Sequence, residues 1–193
     1  VHDNTSVGWY TAGGQNRYNV MVGCVFANNG SDGCRLEQDS GSHVLNCVFY
    51  KNAADGLTFR QVSSGGVVQD CAFFDNGGYG IDWGTSGDGS IHILRNNAYG
   101  SGTQANTSGK YRSGANSLIN INDIDETADF NPWTDPDNGD FTLKATSSLE
   151  AAGTAWPFSS MSSTSRRWIV GASGPPAPAG SGASTPHPLR STR

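Results

Sequence analysis

Apolar residues in this chain come in short runs, each cut by Asn, Asp or Gly, and the runs repeat. One copy reads Gly23-Cys24-Val25-Phe26-Ala27-Asn28-Asn29-Gly30-Ser31-Asp32-Gly33-Cys34. The next reads Asn46-Cys47-Val48-Phe49-Tyr50-Lys51-Asn52-Ala53-Ala54-Asp55-Gly56-Leu57, and a third Asp70-Cys71-Ala72-Phe73-Phe74-Asp75-Asn76-Gly77-Gly78-Tyr79-Gly80-Ile81. The cysteines at 24, 47 and 71 recur after 23 and then 24 residues. A period of that size marks a stacked-repeat architecture, and runs this short, bounded by turn residues, are strands. The pattern predicts an all-β chain in which each repeat is one rung of a β-solenoid.

Within the third copy, Val67-Val68-Gln69 is predicted as a strand, Asp70-Cys71 as a bend and Ala72-Phe73-Phe74 as a second strand. Asp75 to Gly78 is a loop, and Gly80-Ile81-Asp82-Trp83 a third strand. Alternation along each strand sends every second side chain inward. Stacking the copies then gives inward ladders Met21/Val44/Val68, Cys24/Cys47/Cys71, Phe26/Phe49/Phe73, Cys34/Leu57/Ile81 and Thr11/Leu36/Phe59/Trp83. Asn29, Asn52 and Asn76 recur at a turn, where Asn tolerates left-handed backbone. Gly33, Gly56 and Gly80 recur where positive φ is expected.

The repeat runs past the three clear copies. Val1 to Trp9 aligns with Phe26 to Cys34, placing Asn4 on Asn29 and Gly8 on Gly33. Ile93 to Tyr99 aligns with Val67 to Phe73. The chain thus opens in mid-rung, without an initiator Met or a signal peptide, and is expected to be a piece of something longer or a processed product. Residues 100–135 read as a Gly-, Ser- and Asn-rich excursion with one strand at Ser117-Leu118-Ile119-Asn120-Ile121.

These repeats resemble the right-handed parallel β-helix of pectate-lyase-like proteins and phage tailspikes. The resemblance rests on Asn46-Cys47-Val48-Phe49 followed by Asn52-Ala53-Ala54-Asp55-Gly56-Leu57. Asn138-Gly139-Asp140-Phe141-Thr142-Leu143 through Gly153 is similar to the closing stretch of many bacterial and phage members, and Trp168-Ile169-Val170-Gly171-Ala172 to their ending. It departs from that ending by Ile-Val where Asp is usual. The resemblance implies a helix of four to five rungs over residues 1–172, with an irregular C-terminal segment. Residues 173–193 are a Pro/Gly/Ser-rich tail, whose composition cannot bury a core. The fold is specific and the activity is not, since it hosts lyases, hydrolases, epimerases, adhesins and inert fibres.

Composition narrows the function classes. Only 35% of residues are apolar, which a solenoid tolerates because its core is a narrow column. The net charge of −5 argues against nucleic acid as a partner, because phosphate binding needs a basic face. No apolar run approaches the roughly 20 residues of a membrane span. The four cysteines contain no CxxC pair, so they are not a zinc set. Cys24, Cys47 and Cys71 read as a ladder of small apolar side chains. In-register spacing of about 4.8 Å also leaves an inter-rung disulfide open.

Candidate chemistry sits on the outward positions of the third strand. Tyr10, Arg35, Thr58 and Asp82 form one outward column, and Ala12, Glu37, Arg60 and Gly84 the next. Tyr10, Arg35, Glu37, Arg60 and Asp82 are therefore the expected substrate-binding residues. In β-helix polysaccharide enzymes such a face is the sugar groove, where a basic side chain removes a proton beside a neutralised uronate, or paired acids hydrolyse a glycoside. The bland alternative is a surface ion pair between Glu37 and Arg60. Asp88, His92 and Arg95 are a second grouping, better read as a solvated His beside a Gly-rich turn. Asp135, Asp137 and Asp140 crowd one turn from which Ca²⁺ takes oxygen ligands, though a plain Asx-rich turn fits as well. No other cofactor is expected.

Two functions follow. One is a structural or adhesive module, such as a phage fibre, virion component or surface protein, with carbohydrate contact but no turnover. The other is a fragment of a polysaccharide lyase or glycoside hydrolase acting on acidic polysaccharide. Either implies an extracellular or virion location. Expected partners are carbohydrate or other virion or surface subunits, in a homo-oligomer or as part of a longer chain.

Overall fold

A computed structural model describes residues 1–11, 18–38, 40–60, 65–83, 92–112, 118–125, 131–144, 147 and 149. The chain enters through strand β1 (Trp9–Thr11) and then makes four complete coils of three short strands. These are β2 (Val20–Val22), β3 (Val25–Ala27) and β4 (Cys34–Glu37), then β5 (His43–Leu45), β6 (Val48–Tyr50) and β7 (Leu57–Arg60). The third coil is β8 (Val67–Gln69), β9 (Ala72–Phe74) and β10 (Tyr79–Asp82). The fourth is β11 (His92–Arg95), β12 (Ala98–Tyr99) and β13 (Gly109–Arg112). Strands β14 (Leu118–Ile121) and β15 (Ile124–Asp125) begin another, and β16 (Trp133–Asp135) and β17 (Asp140–Leu143) form an antiparallel hairpin.

Equivalent strands of successive coils pair in parallel, giving three five-stranded sheets: β1-β4-β7-β10-β13, β2-β5-β8-β11-β14 and β3-β6-β9-β12-β15. The register follows the repeat. Met21 pairs with Val44 and Val44 with Val68, Phe26 with Phe49 and Phe49 with Phe73, and Cys34 with Leu57. The outer alignments hold too, with Trp9 on Cys34 and Tyr99 on Phe73. Within residues 100–135, expected to be an excursion with one strand at 117–121, that strand is present as β14, and Gly109–Arg112 and Ile124–Asp125 add β13 and β15, each in register with the coil before. The Gly- and Ser-rich composition around β13 and the shortness of β15 hid these two.

Like stacks on like in the interior column because parallel strands hold equivalent side chains about 4.8 Å apart. Phe26 and Phe49 stack with ring centroids 5.0 Å apart, Phe49 and Phe73 at 4.7 Å, and Phe73 and Tyr99 at 5.5 Å. Cys47 and Cys71 are buried and Cys24, nearer the end, is partly so; all are free thiols. The Cys47 N–H donates to Cys71 Sγ, and the Cys71 N–H to Asn97 Oδ1.

Two recurrent residues do something other than expected. Asn29, Asn52 and Asn76 are buried, and positive φ falls one residue earlier, at Asn28 (53°), Lys51 (50°) and Asp75 (56°). The asparagines form an internal ladder: Asn29 Nδ2 donates to Asn52 Oδ1 at 2.8 Å, Asn52 Nδ2 to Asn76 Oδ1 at 2.9 Å, and Asn76 Nδ2 to Asn106 Oδ1 at 2.7 Å. Gly33, Gly56 and Gly80 do not have positive φ. A Cβ at Gly33 would lie 2.7 Å from Gly56 O, and one at Gly56 2.7 Å from Gly80 O. Close packing of coil on coil, not backbone handedness, demands glycine there.

The outer face of the third sheet is apolar and covered. Trp133, fully buried, meets Phe74 edge-on at 4.8 Å and Tyr50 at 5.6 Å, while Phe141 meets Tyr50 at 5.7 Å. The β16–β17 hairpin thereby seals a second core of Val48, Tyr50, Ala72, Phe74 and Ala98. The expected boundary at residue 172, the Trp168–Ala172 ending and the 173–193 tail lie outside the described residues.

Candidate functional site

The outer face of the first sheet is polar. Register places Tyr10 beside Arg35, Arg35 beside Thr58, Thr58 beside Asp82 and Asp82 beside Arg112. The expected column is therefore real, and one coil longer than expected. Glu37 and Arg60 are register neighbours. Their column partners Ala12 and Gly84 fall outside the described residues.

Buried carboxylates hold the cations of this face in place. Asp32 Oδ2 accepts from Arg35 Nε at 2.8 Å and from Nη2 at 2.7 Å, with the Asp32 side chain 2% exposed. Arg112 meets Asp82 with two nitrogens on two oxygens, Nε to Oδ1 at 2.7 Å; the Asp82 side chain is 1% exposed and that of Arg112 41%. Such a planar fork on a carboxylate fixes orientation as well as charge. This bond, ahead of any other influence, raises the Arg112 pKa. Each guanidinium also lies by a tyrosine ring: Arg35 is 6.0 Å from the Tyr10 centroid and Arg112 5.5 Å from that of Tyr79. The Tyr10 hydroxyl donates to Glu37 Oε2 at 2.7 Å, and this bond is the main reason its pKa is raised.

Asp55 lies between the two Arg–Asp pairs. Its Oδ1 accepts the Tyr79 N–H at 2.7 Å, and its Oδ2 the Thr58 hydroxyl at 3.4 Å. Burial pushes its pKa up; the Tyr79 N–H opposes this, and the nearby Asp82 and Asp32 add to the rise. The face thus presents three aspartates beneath two oriented guanidiniums and two tyrosine rings.

Sequence reasoning missed Asp32, Asp55, Tyr79 and Arg112. Asp32 and Asp55 carried a signal, since each stands two residues before the matching inward Cys34 and Leu57. Arg112 carried none once residues 100–135 were read as irregular.

The other groupings resolve differently. His92 is not solvated. It is buried, with its ring 4.0 Å from Trp83 and 5.7 Å from Phe59, and its Nδ1 accepts the Gly66 N–H at 3.3 Å. Asp88 lies outside the described residues. The acidic turn is the tip of the β16–β17 hairpin, with Gly139 at φ 83°. Asp135 accepts from Asn138 Nδ2 at 2.8 Å, and Asp140 from the Thr142 N–H at 2.9 Å. Asp137 accepts from Lys51 Nζ at 2.7 Å and from the Tyr50 hydroxyl at 3.0 Å. The three acids turn to different partners, Asp135 and Asp140 within the hairpin and Asp137 across to the second coil, and among the described residues no group of three or more His, Cys, Asp or Glu is placed to hold a metal ion. No helix among the described residues is long and apolar enough to cross a membrane.

Searches of curated proteins and of solved structures found no match. The family described as "Right handed beta helix region" matches residues 1–112, the span that carries the coils from β1 to β13 and the whole first-sheet face. With more than half its length matched and its strands stacked in register, the chain belongs to the right-handed β-helix family.

Proposed function

We propose that this chain is a structural or adhesive β-helix module of a phage fibre, virion or cell surface, and that its first-sheet face binds carbohydrate. The observation that carries this reading is the pairing of Arg35 and Arg112, each fixed by a buried aspartate, with the rings of Tyr10 and Tyr79. Flat aromatic surface beside oriented N–H donors suits the alternating apolar faces and hydroxyl edges of a sugar chain. Both cations already have carboxylate partners, so the face favours neutral hydroxyls over a uronate, which would have to displace Asp82 or Asp32.

A hydrolase or lyase fragment acting on acidic polysaccharide is the second reading, and the raised pKa of Asp55 favours it, since a general acid must hold its proton. We rank it lower because both Asp55 oxygens are engaged by Tyr79 and Thr58.

The test is an oligosaccharide panel scored for binding, for new reducing ends and for unsaturated products. Tyr10→Ala and Arg112→Lys, which keeps the charge but loses the fork, should each weaken binding by roughly tenfold, about 1.4 kcal/mol. Binding unchanged in both variants, with intact thermal unfolding, would remove the site. Product formation abolished by Asp55→Asn would establish the second reading instead.

A further inference from the structure

On the first sheet one carboxylate recurs from coil to coil with a change of partner. Asp32, Asp55 and Tyr79 occupy equivalent places, each two residues before the inward Cys34, Leu57 and Ile81. Both carboxylates hold the next coil in the same way. Asp32 Oδ1 accepts the Asp55 N–H at 3.3 Å, and Asp55 Oδ1 the Tyr79 N–H at 2.7 Å. Gly78 makes room for the second of these, because a Cβ there would collide with Asp55 Oδ1. The remaining oxygens differ. Three residues on from Asp32 stands Arg35, which closes on Asp32 Oδ2 at 2.7 Å. Three residues on from Asp55 stands Thr58, whose hydroxyl reaches Asp55 Oδ2 only at 3.4 Å, longer than an ordinary O–H···O bond.

The charges of the face therefore do not balance at this point. Asp32 and Asp82 are buried beneath the guanidiniums of Arg35 and Arg112, while Asp55 is half-buried and forms an ion pair with no cation among the described residues. Burial first, and then the neighbouring Asp82 and Asp32, make its ionised form costly; Arg112 offsets only part of this. A cation brought from outside would give Asp55 what Arg35 gives Asp32. We propose that the sugar bound by this face is an amino sugar, with its protonated amine seated on Asp55 between the Tyr10–Arg35 and Tyr79–Arg112 pairs. The inference rests on the carbohydrate reading of the face. An ammonium carries three donors and one compact charge, so a single half-exposed carboxylate suffices for it. A hard metal ion needs six or more oxygens, and those of Asp32 and Asp82 are engaged. The flanking tyrosine rings and guanidiniums are left to the ring faces and hydroxyls of the same sugar chain.

The test takes oligomers of glucose, galactose and mannose and compares each with its 2-amino-2-deoxy counterpart, free and N-acetylated. Calorimetry at about pH 6 keeps such an amine protonated. The free amine should bind roughly tenfold more tightly than the N-acetylated form of the same length. Asp55→Asn keeps an acceptor for the Tyr79 N–H and removes the charge, and should bring the two forms to equal affinity. In the parent the preference should fade as acid protonates Asp55, at a pH above the ordinary aspartate value of about 4. N-acetylated sugar bound as tightly as the free amine, or a preference that survives Asp55→Asn, overturns the inference and leaves the carbohydrate reading standing. If no sugar binds in any form, the carbohydrate reading falls and this inference with it.

Discussion

Asn52 donates its side-chain amide to Asn76 Oδ1 at 2.9 Å while its own Oδ1 takes the backbone N–H and the side-chain amide of Asn29. Its second amide hydrogen goes to Phe26 O at 3.0 Å. One buried side chain thus satisfies groups on the coils on either side of its own, and neither a hydroxyl nor a carboxylate offers the same set of donors and acceptor. Asn52→Ala leaves several buried groups unpaired at about 1–3 kcal/mol each, so a loss of roughly 3 kcal/mol or more is expected in urea unfolding. Asn52→Asp, which keeps the shape and loses the donors, should be similarly harmful at neutral pH. A loss under about 1 kcal/mol in both would show that the ladder contributes little.

Phe49 lies between Phe26 and Phe73 and is fully buried. Phe49→Ala should cost on the order of 3–5 kcal/mol, as for other buried aromatics. Equilibrium denaturation reads this directly, and a surface-like change of about 0.5 kcal/mol or less would contradict the stacking.

Gly56 is tested by the smallest side chain. An added Cβ would stand 2.7 Å from Gly80 O and 3.0 Å from both Phe49 Cβ and Phe73 Cδ1. None of these is the loose end of a flexible chain, so Gly56→Ala should destabilise by about 1–3 kcal/mol through overpacking. A Cβ at Gly23 meets nothing within 4 Å, but φ there is +64°, so Gly23→Ala reports backbone strain alone. If Gly56→Ala is neutral, the coils are not packed this closely.

Asp55 makes a pH prediction. Its folded-state pKa is raised, by burial first and then by Asp82 and Asp32. A raised folded pKa contributes stability that is full below the unfolded pKa and lost as pH rises through the folded pKa. Ionised Asp55 is therefore a net cost at neutral pH. Asp55→Asn retains Oδ1 for the Tyr79 N–H and removes the charge. The variant should unfold at higher temperature than the parent at about pH 7, and the gap should close as pH falls toward the ordinary aspartate range near about 4. Parallel pH profiles for the two proteins would refute this.

The C-terminal hairpin supplies a contrast between packing and charge. Trp133→Ala removes a fully buried indole from the second core and should cost about 3–5 kcal/mol, releasing the hairpin from Tyr50 and Phe74. Asp137→Ala breaks the Lys51 pair, in which the Asp137 side chain is 62% exposed, and should cost about 1 kcal/mol or less. Limited proteolysis after Asp125 should accelerate in the first variant only; the reverse order would show that the ion pair, not the indole, holds the hairpin.

By itself the sequence determined the period, the three strands of each coil and the register. Stacking in a parallel sheet puts like on like, so Phe26, Phe49 and Phe73 announce their contact by recurring. Half of the site was legible on the same ground: Tyr10, Arg35, Thr58 and Asp82 are a column because Cys34, Leu57 and Ile81 are one. Only the tertiary structure decided what the recurrent polar residues do. Asn29, Asn52 and Asn76 read as turn residues from local propensity, and became a buried ladder because their partners lie a whole coil away. Gly33 and Gly56 read as conformational glycines, and proved to be excluded volume set by a neighbouring coil's carbonyl. Arg112 joined the site, and Trp133 covered the third sheet, through contacts 30 or more residues distant with no repeat to reveal them. Repetition encodes contacts between equivalent residues; contacts between unlike residues far apart in sequence are settled only when the coils are stacked.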